Sequence, residues 1–222
     1  MEVSIEKDFG ERVSGYRAVI IRCDVENSPT QETCRAEMDA LADEIQSRYK
    51  IEEINKIPAI AATRNAYRAC GKDPNRYRPS QEQLMRRIVR GLGLYTVNSI
   101  VDTGNMLSLL TGCSVGCFDA DKIDGESISL GIGRHDEPYE GIGRGPLNIE
   151  GLPVFRDATG GIGTPTSDNE RTKIELTTRR LLMTIHLFCT ETDLEQTMAT
   201  ACDLFTRHCR AANFTVKTIQ NP

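Results

Sequence analysis

An α+β fold, one domain over residues 1–222 with mixed β-sheets flanked by helices, follows from three observations on the sequence. Residues 18–21 and 180–189 are nearly continuous apolar runs, long enough for strands buried on both faces. Between residues 31 and 209, several stretches repeat apolar side chains at three- or four-residue steps, as amphipathic helices do. The order is strand, helices, a β-rich middle, then strand, helix and strand, without the regular alternation of a parallel βα fold.

The first strand is expected within residues 13–25 and is ended by a turn at Asn27–Pro29. Ser28 and Gln31 have capping-box spacing, and Cys34, Met38, Leu41, Ile45 and Tyr49 then mark a helix to about Lys50. Pro58 suits the first position of a second helix and Gly71 its end, with Ala59, Ala62, Ala66 and Ala69 as a small-residue face. Ser80 is the expected cap of a third helix whose Leu84, Met85 and Ile88 turn inward. Residues 95–102 read as a strand or an extended lead into a short helix capped by Asp102. Short strands are expected at SVGCFD, ESISLGIG and LPVFRD. The apolar run 180–189 is the expected central strand, with His186 as a satisfied core residue. Thr190 or Thr192 would cap a last helix through Cys209, and residues 214–220 would close the chain as a strand.

Composition narrows the chemistry. A net charge of −5 excludes nucleic-acid binding by the surface as a whole and leaves it to a local patch. Lys72, Arg76, Arg78, Arg86, Arg87 and Arg90 supply such a patch, with only Asp73 and Glu82 between them; the alternative is a solvated, ion-paired helix face. The eight cysteines show no repeated spacing, which points to reduced thiols. Cys113 and Cys117 form a CSVGC pair that no second pair or histidine cluster completes, so neither a metal nor a cofactor is expected. No apolar run approaches the ~20 residues of a membrane span, and the N-terminus lacks a signal pattern, so a cytoplasmic protein without membrane contact is expected.

The run of residues 141–173 resists a core-building explanation, since it holds seven of the 18 glycines together with Arg144, Arg156 and Arg171. Glycines at this density mark either ordinary hairpin turns or backbone that a ligand approaches closely. GIGRG lacks the third glycine of a dinucleotide fingerprint and GGIGTPTS lacks a phosphate-loop lysine. There is no GxSxG or HExxH motif, and His135, His186 and His208 are far apart. What remains is a candidate substrate site of Asn105, Gly143, Arg144, Gly160, Gly161, Thr164, Ser167, Asp168, Glu170 and Arg171, without an assignable catalytic residue. Planar guanidinium forks, hydroxyls and glycine amides suit an amino-acid-like molecule or a nucleotide end; an internal ion-pair network is the alternative.

From SIVDTGNMLSLLTGCSVGCFDADKI through the glycine-rich run, the chain resembles the tRNA-editing domain of the phenylalanyl-tRNA synthetase β subunit, as a free-standing protein. The resemblance spans roughly residues 60–190 and rests on Val101, Asp102, Asn105, Gly112, Phe118, Asp119, Gly160, Gly161 and the apolar strand near Leu181. It implies a pocket that positions a mischarged aminoacyl-tRNA for attack by water, without a side-chain nucleophile. Two departures bear on specificity. Gly116 stands where the family has a pocket histidine, and Thr184, or alternatively Glu175, where it has the glutamate that selects tyrosine. GTPTSDNERTK, residues 163–173, stands as an insertion. The implied partners are tRNA or aminoacyl-tRNA and an amino-acid-like small molecule, and the implied activity is aminoacyl-tRNA deacylation in trans. A non-catalytic binding module and a small-molecule enzyme that reuses the fold are the alternatives. The oligomeric state has no sequence signature.

Overall fold

The computed structural model describes residues 1–221, which form three layers: helices, a four-stranded sheet and a second four-stranded sheet. The chain runs β1 (Glu2–Ile5), α1 (Lys7–Arg12), β2 (Arg17–Asp24), α2 (Glu32–Arg48), α3 (Pro58–Ala69), α4 (Ser80–Val89) and α5 (Ser99–Thr111). Then come β3 (Ser114–Asp119), β4 (Ser127–Ile132), β5 (Glu140–Gly141), β6 (Gly145–Pro146), β7 (Pro153–Arg156) and β8 (Gly161–Gly163). β9 (Arg180–Leu187), α6 (Leu194–Cys209) and β10 (Ala212–Gln220) complete it. The α+β expectation holds.

The middle sheet has the order β10-β2-β9-β3, and all its pairs are antiparallel. β2 and β9 are its two inner strands, and alternation divides their side chains between two cores. Val19, Ile21, Leu181, Met183 and Ile185 face Met38, Ile100, Leu107 and Phe205 of the helical layer. Ala18, Ile20 and Leu182 face Val3, Leu130, Phe155 and Ile162 of the outer sheet, whose order is β1-β4-β7-β8. Burial on both sides explains why these runs lack polar alternation. His186 lies in the inter-sheet layer, where its Nδ1 and the Tyr16 hydroxyl are 2.8 Å apart. Burial lowers its pKa to about 3.

Several local expectations fail, and at the start of α5 the reason is that a tertiary contact supplies a cap. Residues 95–98 are an extended lead and not a strand, the second of the two expectations, and α5 begins at Ser99 rather than Asp102. Asn98 Oδ1 accepts the Val101 N–H, and Asn27 Oδ1 from the β2–α2 loop accepts the Ile100 N–H at 3.3 Å. Asp102 instead turns back to accept the Val97 N–H and the Thr30 hydroxyl. Asp193, not Thr190 or Thr192, caps α6 through the Gln196 N–H. Ser28 makes no capping box, and α2 starts after Gln31 with no side-chain cap. Ala69 on α3 is exposed, while Ile60, Thr63, Arg64, Ala66 and Tyr67 form the buried face. No described helix is long and apolar enough to cross a membrane.

Candidate functional site

The glycine-rich run packs across the end of the helical layer and closes a cavity of about 240 Å³. Three elements bring it about. β5 and β6 form a hairpin with Ile142, Gly143 and Arg144 at its tip; Gly143 has φ +66°, a left-handed turn that glycine adopts without strain. After β8, Thr164 Oγ1 accepts the N–H groups of Thr166 (3.2 Å) and Ser167 (3.1 Å), which turns the chain back so that Asp168 bridges to Gly163. The third element is the helical wall. The Ser80 N–H at the start of α4 donates to Pro165 O at 2.7 Å, and the Tyr67 hydroxyl lies 2.9 Å from Thr166 Oγ1.

Asn105, Arg144, Thr164, Ser167 and Asp168 line this cavity together with Ser80, Gln83, Leu84, Tyr95, Val115, Ile142 and Thr166. Asn105, half-buried on α5, has no side-chain hydrogen-bond partner among the described residues, which leaves its amide free to meet a ligand. Arg144 is exposed at the hairpin tip and donates to Gln83 Oε1 at 2.7 Å. Tyr95 keeps 52% of its surface exposed, and the Arg87 guanidinium lies 5.3 Å from its ring centroid.

Asp168 is the one carboxylate in the lining. Its Oδ2 accepts the Cys117 N–H at 3.2 Å, while Oδ1 lies beside Gly116 and Gly163, where a Cβ would stand 3.2 and 3.1 Å away. No ion pair compensates it among the described residues. Burial pushes its pKa up to about 7, against the smaller opposing effect of the Cys117 N–H. Gly116 and Thr184, the two departures from the resembled pattern, are register partners on β3 and β9. A Cβ on Gly116 would lie 2.7 Å from Phe118 Cζ and 2.9 Å from Thr184 Oγ1, so a side chain at 116 would displace the core. Thr184 Oγ1 is buried without a hydrogen-bond partner.

The other proposed ligand residues are placed elsewhere. Gly160 and Gly161 lead into β8 behind the lining, with Gly160 N–H bound to Asp157 Oδ1 and Gly161 pressed against the Tyr139 ring. Arg171 binds Asp157 at 2.7 Å, Glu170 pairs with Lys173, and neither reaches the cavity. Arg156 is an internal cation bound to Glu137 at 2.7 Å. The basic stretch also divides. Lys72 is buried, donates to Asn148 O at 2.9 Å and lies over the Tyr77 ring; burial lowers its pKa. Arg86 is bound to the buried Glu82 at 2.8 Å. Arg76, Arg78 and Arg90 are exposed, and Arg87 is half-buried against Tyr95.

Gln83, Tyr95 and Ile142 were not legible as site residues. Gln83 had only its outward position on an amphipathic helix, and Tyr95 had only its aromatic character in a polar stretch. A larger cleft of about 390 Å³ between α2, α3 and α5 shares only the α4 and α5 framework with this site and none of its lining residues.

A family model of the B3/4 domain, a domain found in the phenylalanyl-tRNA synthetase β subunit, matches residues 62–210, more than half of the chain. No curated protein matches the sequence. Among solved structures, an N-terminal fragment of the phenylalanyl-tRNA synthetase β subunit from Pyrococcus horikoshii aligns with a TM-score of 0.48 and 12% identity. That alignment covers 100% of this chain and 54% of the other, so the chain spans about half the length of the protein it matches.

Proposed function

The chain belongs to the B3/4 domain family, and from that premise we propose that it binds the aminoacyl end of a tRNA in the cavity beside the glycine-rich run and hydrolyses the mischarged ester in trans. The observation that carries this reading is the lining itself. A free amide (Asn105), a mouth cation (Arg144), hydroxyls (Thr164, Ser167) and a carboxylate (Asp168) converge on a space too small for a folded macromolecule and suited to one amino-acid residue. The half-exposed Tyr95 ring at the rim offers a stacking surface for a terminal base, and Arg144 and Arg87 offer cations for its phosphate. Arg76, Arg78 and Arg90 are the exposed cations for the rest of the acceptor end.

Catalysis in this reading is positioning of water and ester by polar groups held rigidly on α5 and the 164–168 turn. The test is deacylation of a panel of mischarged tRNAs by the purified protein. Acceleration of at least one member is expected, with Asn105→Ala and Arg144→Ala each lowering kcat/KM by about tenfold or more. No acceleration of any member over the uncatalysed rate would remove the hydrolytic reading.

A second reading, capture of the aminoacyl end without turnover, is favoured by one observation. Gly116 leaves no room for a side chain, so the cavity has no imidazole from β3 to assist proton transfer. Stable binding of charged over uncharged tRNA, with the ester intact after incubation, is the result that separates it from hydrolysis.

A further inference from the structure

We propose that Asp168 is the receptor for a primary ammonium group, so that the cavity admits its ligand amine-first, with the acyl and phosphate end directed outward to Arg144. The inference rests on the proposed aminoacyl ligand and adds the group that recognises it and the direction in which it lies. Asp168 and Arg144 are the two charged residues of the lining, and they are not paired with each other. Arg144 is exposed at the hairpin tip, whereas the Asp168 carboxylate lies against β3 and β8. A carboxylate in such a position normally has a cation within reach or a donor on each oxygen, and the other buried acids of this protein have one or the other. Glu82 has Arg64, Arg78 and Arg86, and Asp157 has Arg171; Asp102 and Asp119 have no ion pair, but both oxygens of each accept from a hydroxyl or a backbone N–H. Asp168 has one backbone N–H on Oδ2 and no donor on Oδ1 among the described residues. Its raised pKa has the same origin, desolvation without a compensating positive charge.

An ammonium supplies what the site lacks: three donors and a positive charge in a compact group. The Asn105 amide, which has no side-chain partner among the described residues, is then left for the carbonyl and ester oxygens, while the Thr164 hydroxyl is committed to the 164–167 turn. The opposite polarity of floor and mouth fixes orientation, because a reversed ligand would set phosphate against Asp168. An N-blocked or deaminated ligand would leave the carboxylate desolvated and unpaired, a penalty that rejects it.

Titration calorimetry at pH 7.5 with the amides of the proteinogenic amino acids and their N-acetyl counterparts tests this on the full chain. At least one free-amine amide is expected to bind, with its N-acetyl form weaker by about tenfold or more, as loss of a charged hydrogen bond implies. Asp168→Asn keeps an acceptor for the Cys117 N–H and is expected to bind both forms equally, at the N-acetyl level. Equal binding of the two forms by the wild-type protein, which needs no variant, would overturn the assignment, as would the absence of binding by every amide. Failure of the editing reading has a different signature. Amine-selective binding with no tRNA deacylation supports the Asp168 assignment, whereas undiminished deacylation by Asp168→Asn overturns it and leaves the hydrolytic reading intact.

Discussion

Asp168 and His186 carry opposite pH signatures, because desolvation favours the neutral form of each. The Asp168 pKa rises from its ordinary 3.8 to about 7, so its contribution to stability is fully present below pH 3.8 and is lost as pH rises through 7. Asp168→Asn removes that loss. The variant is expected to be more stable than wild type above pH 7, by roughly 2–4 kcal/mol in the ligand-free protein, and indistinguishable below pH 4. Melting temperatures across that range check it; a constant offset at all pH values would exclude the desolvated carboxylate as its cause. His186, with its pKa lowered from 6.5 to about 3, acts in the other direction. The unfolded chain takes up its proton below pH 6.5 and the folded chain does not, so stability falls from there toward pH 3. Glycine at 116 is a matter of packing. Gly116→Ala would press a Cβ against Phe118 and Thr184, and a loss of about 1–3 kcal/mol in chemical denaturation is expected.

At the scale of elements, α4 shows what a basic stretch becomes once folded. Its periodicity made Leu84, Met85 and Ile88 readable as the inward face, and all three are buried. The same periodicity could not show that Glu82 is fully buried, bound by Arg64 at 2.9 Å and Arg86 at 2.8 Å. Arg64 comes from α3, and a pairing between two helices leaves no mark in the spacing of either. Glu82→Gln leaves three arginines, Arg64, Arg78 and Arg86, without their counter-charge and is expected to cost about 3–5 kcal/mol of unfolding free energy, measured by urea titration. An effect below about 1 kcal/mol would mean that water replaces the carboxylate there. α5 gives the complementary case. Asn27, distant in sequence, and Asn98 together fix its start, so Asp102 was free for another use. Asn98→Ala is expected to cost about 1 kcal/mol.

For the whole molecule, three layers place the cavity at one end of the helical layer, where the loop after β8 meets α4 and α5. The net charge of −5 makes any hold on RNA depend on the few cations that remain outward. Contacts from Arg76, Arg78, Arg87, Arg90 and Arg144 would give a log–log salt slope of about −3.5 with the single-strand coefficient, and the addition of Lys72 and Arg86 would give about −5. Lys72 and Arg86 are committed internally, so the shallower slope is expected for tRNA in filter binding between about 50 and 200 mM salt. A slope near −5 would show that the buried cations are released on binding.

Local pattern was enough for much of this protein. Residues 18–21 and 181–187 announced two-sided burial through unbroken apolar runs, and Pro58, Leu84 and Met38 marked helices through spacing that depends on a few neighbours. The glycine-rich run announced tight turns and no more. Which of its members meet Asn105 depended on contacts that spacing does not show: the local Gly163–Asp168 bridge, the Ser80–Pro165 hydrogen bond between segments 85 positions apart and the fit of Phe118 beside Gly116 and Gly163. Arg171 and Asp168 are three positions apart and equally polar, yet one neutralises Asp157 and the other is left without a counter-charge in the cavity wall. Hydrophobic periodicity records which side of an element is buried. The partner of a buried charge is set by the docking of elements against one another, and that lies beyond the reach of spacing along the chain.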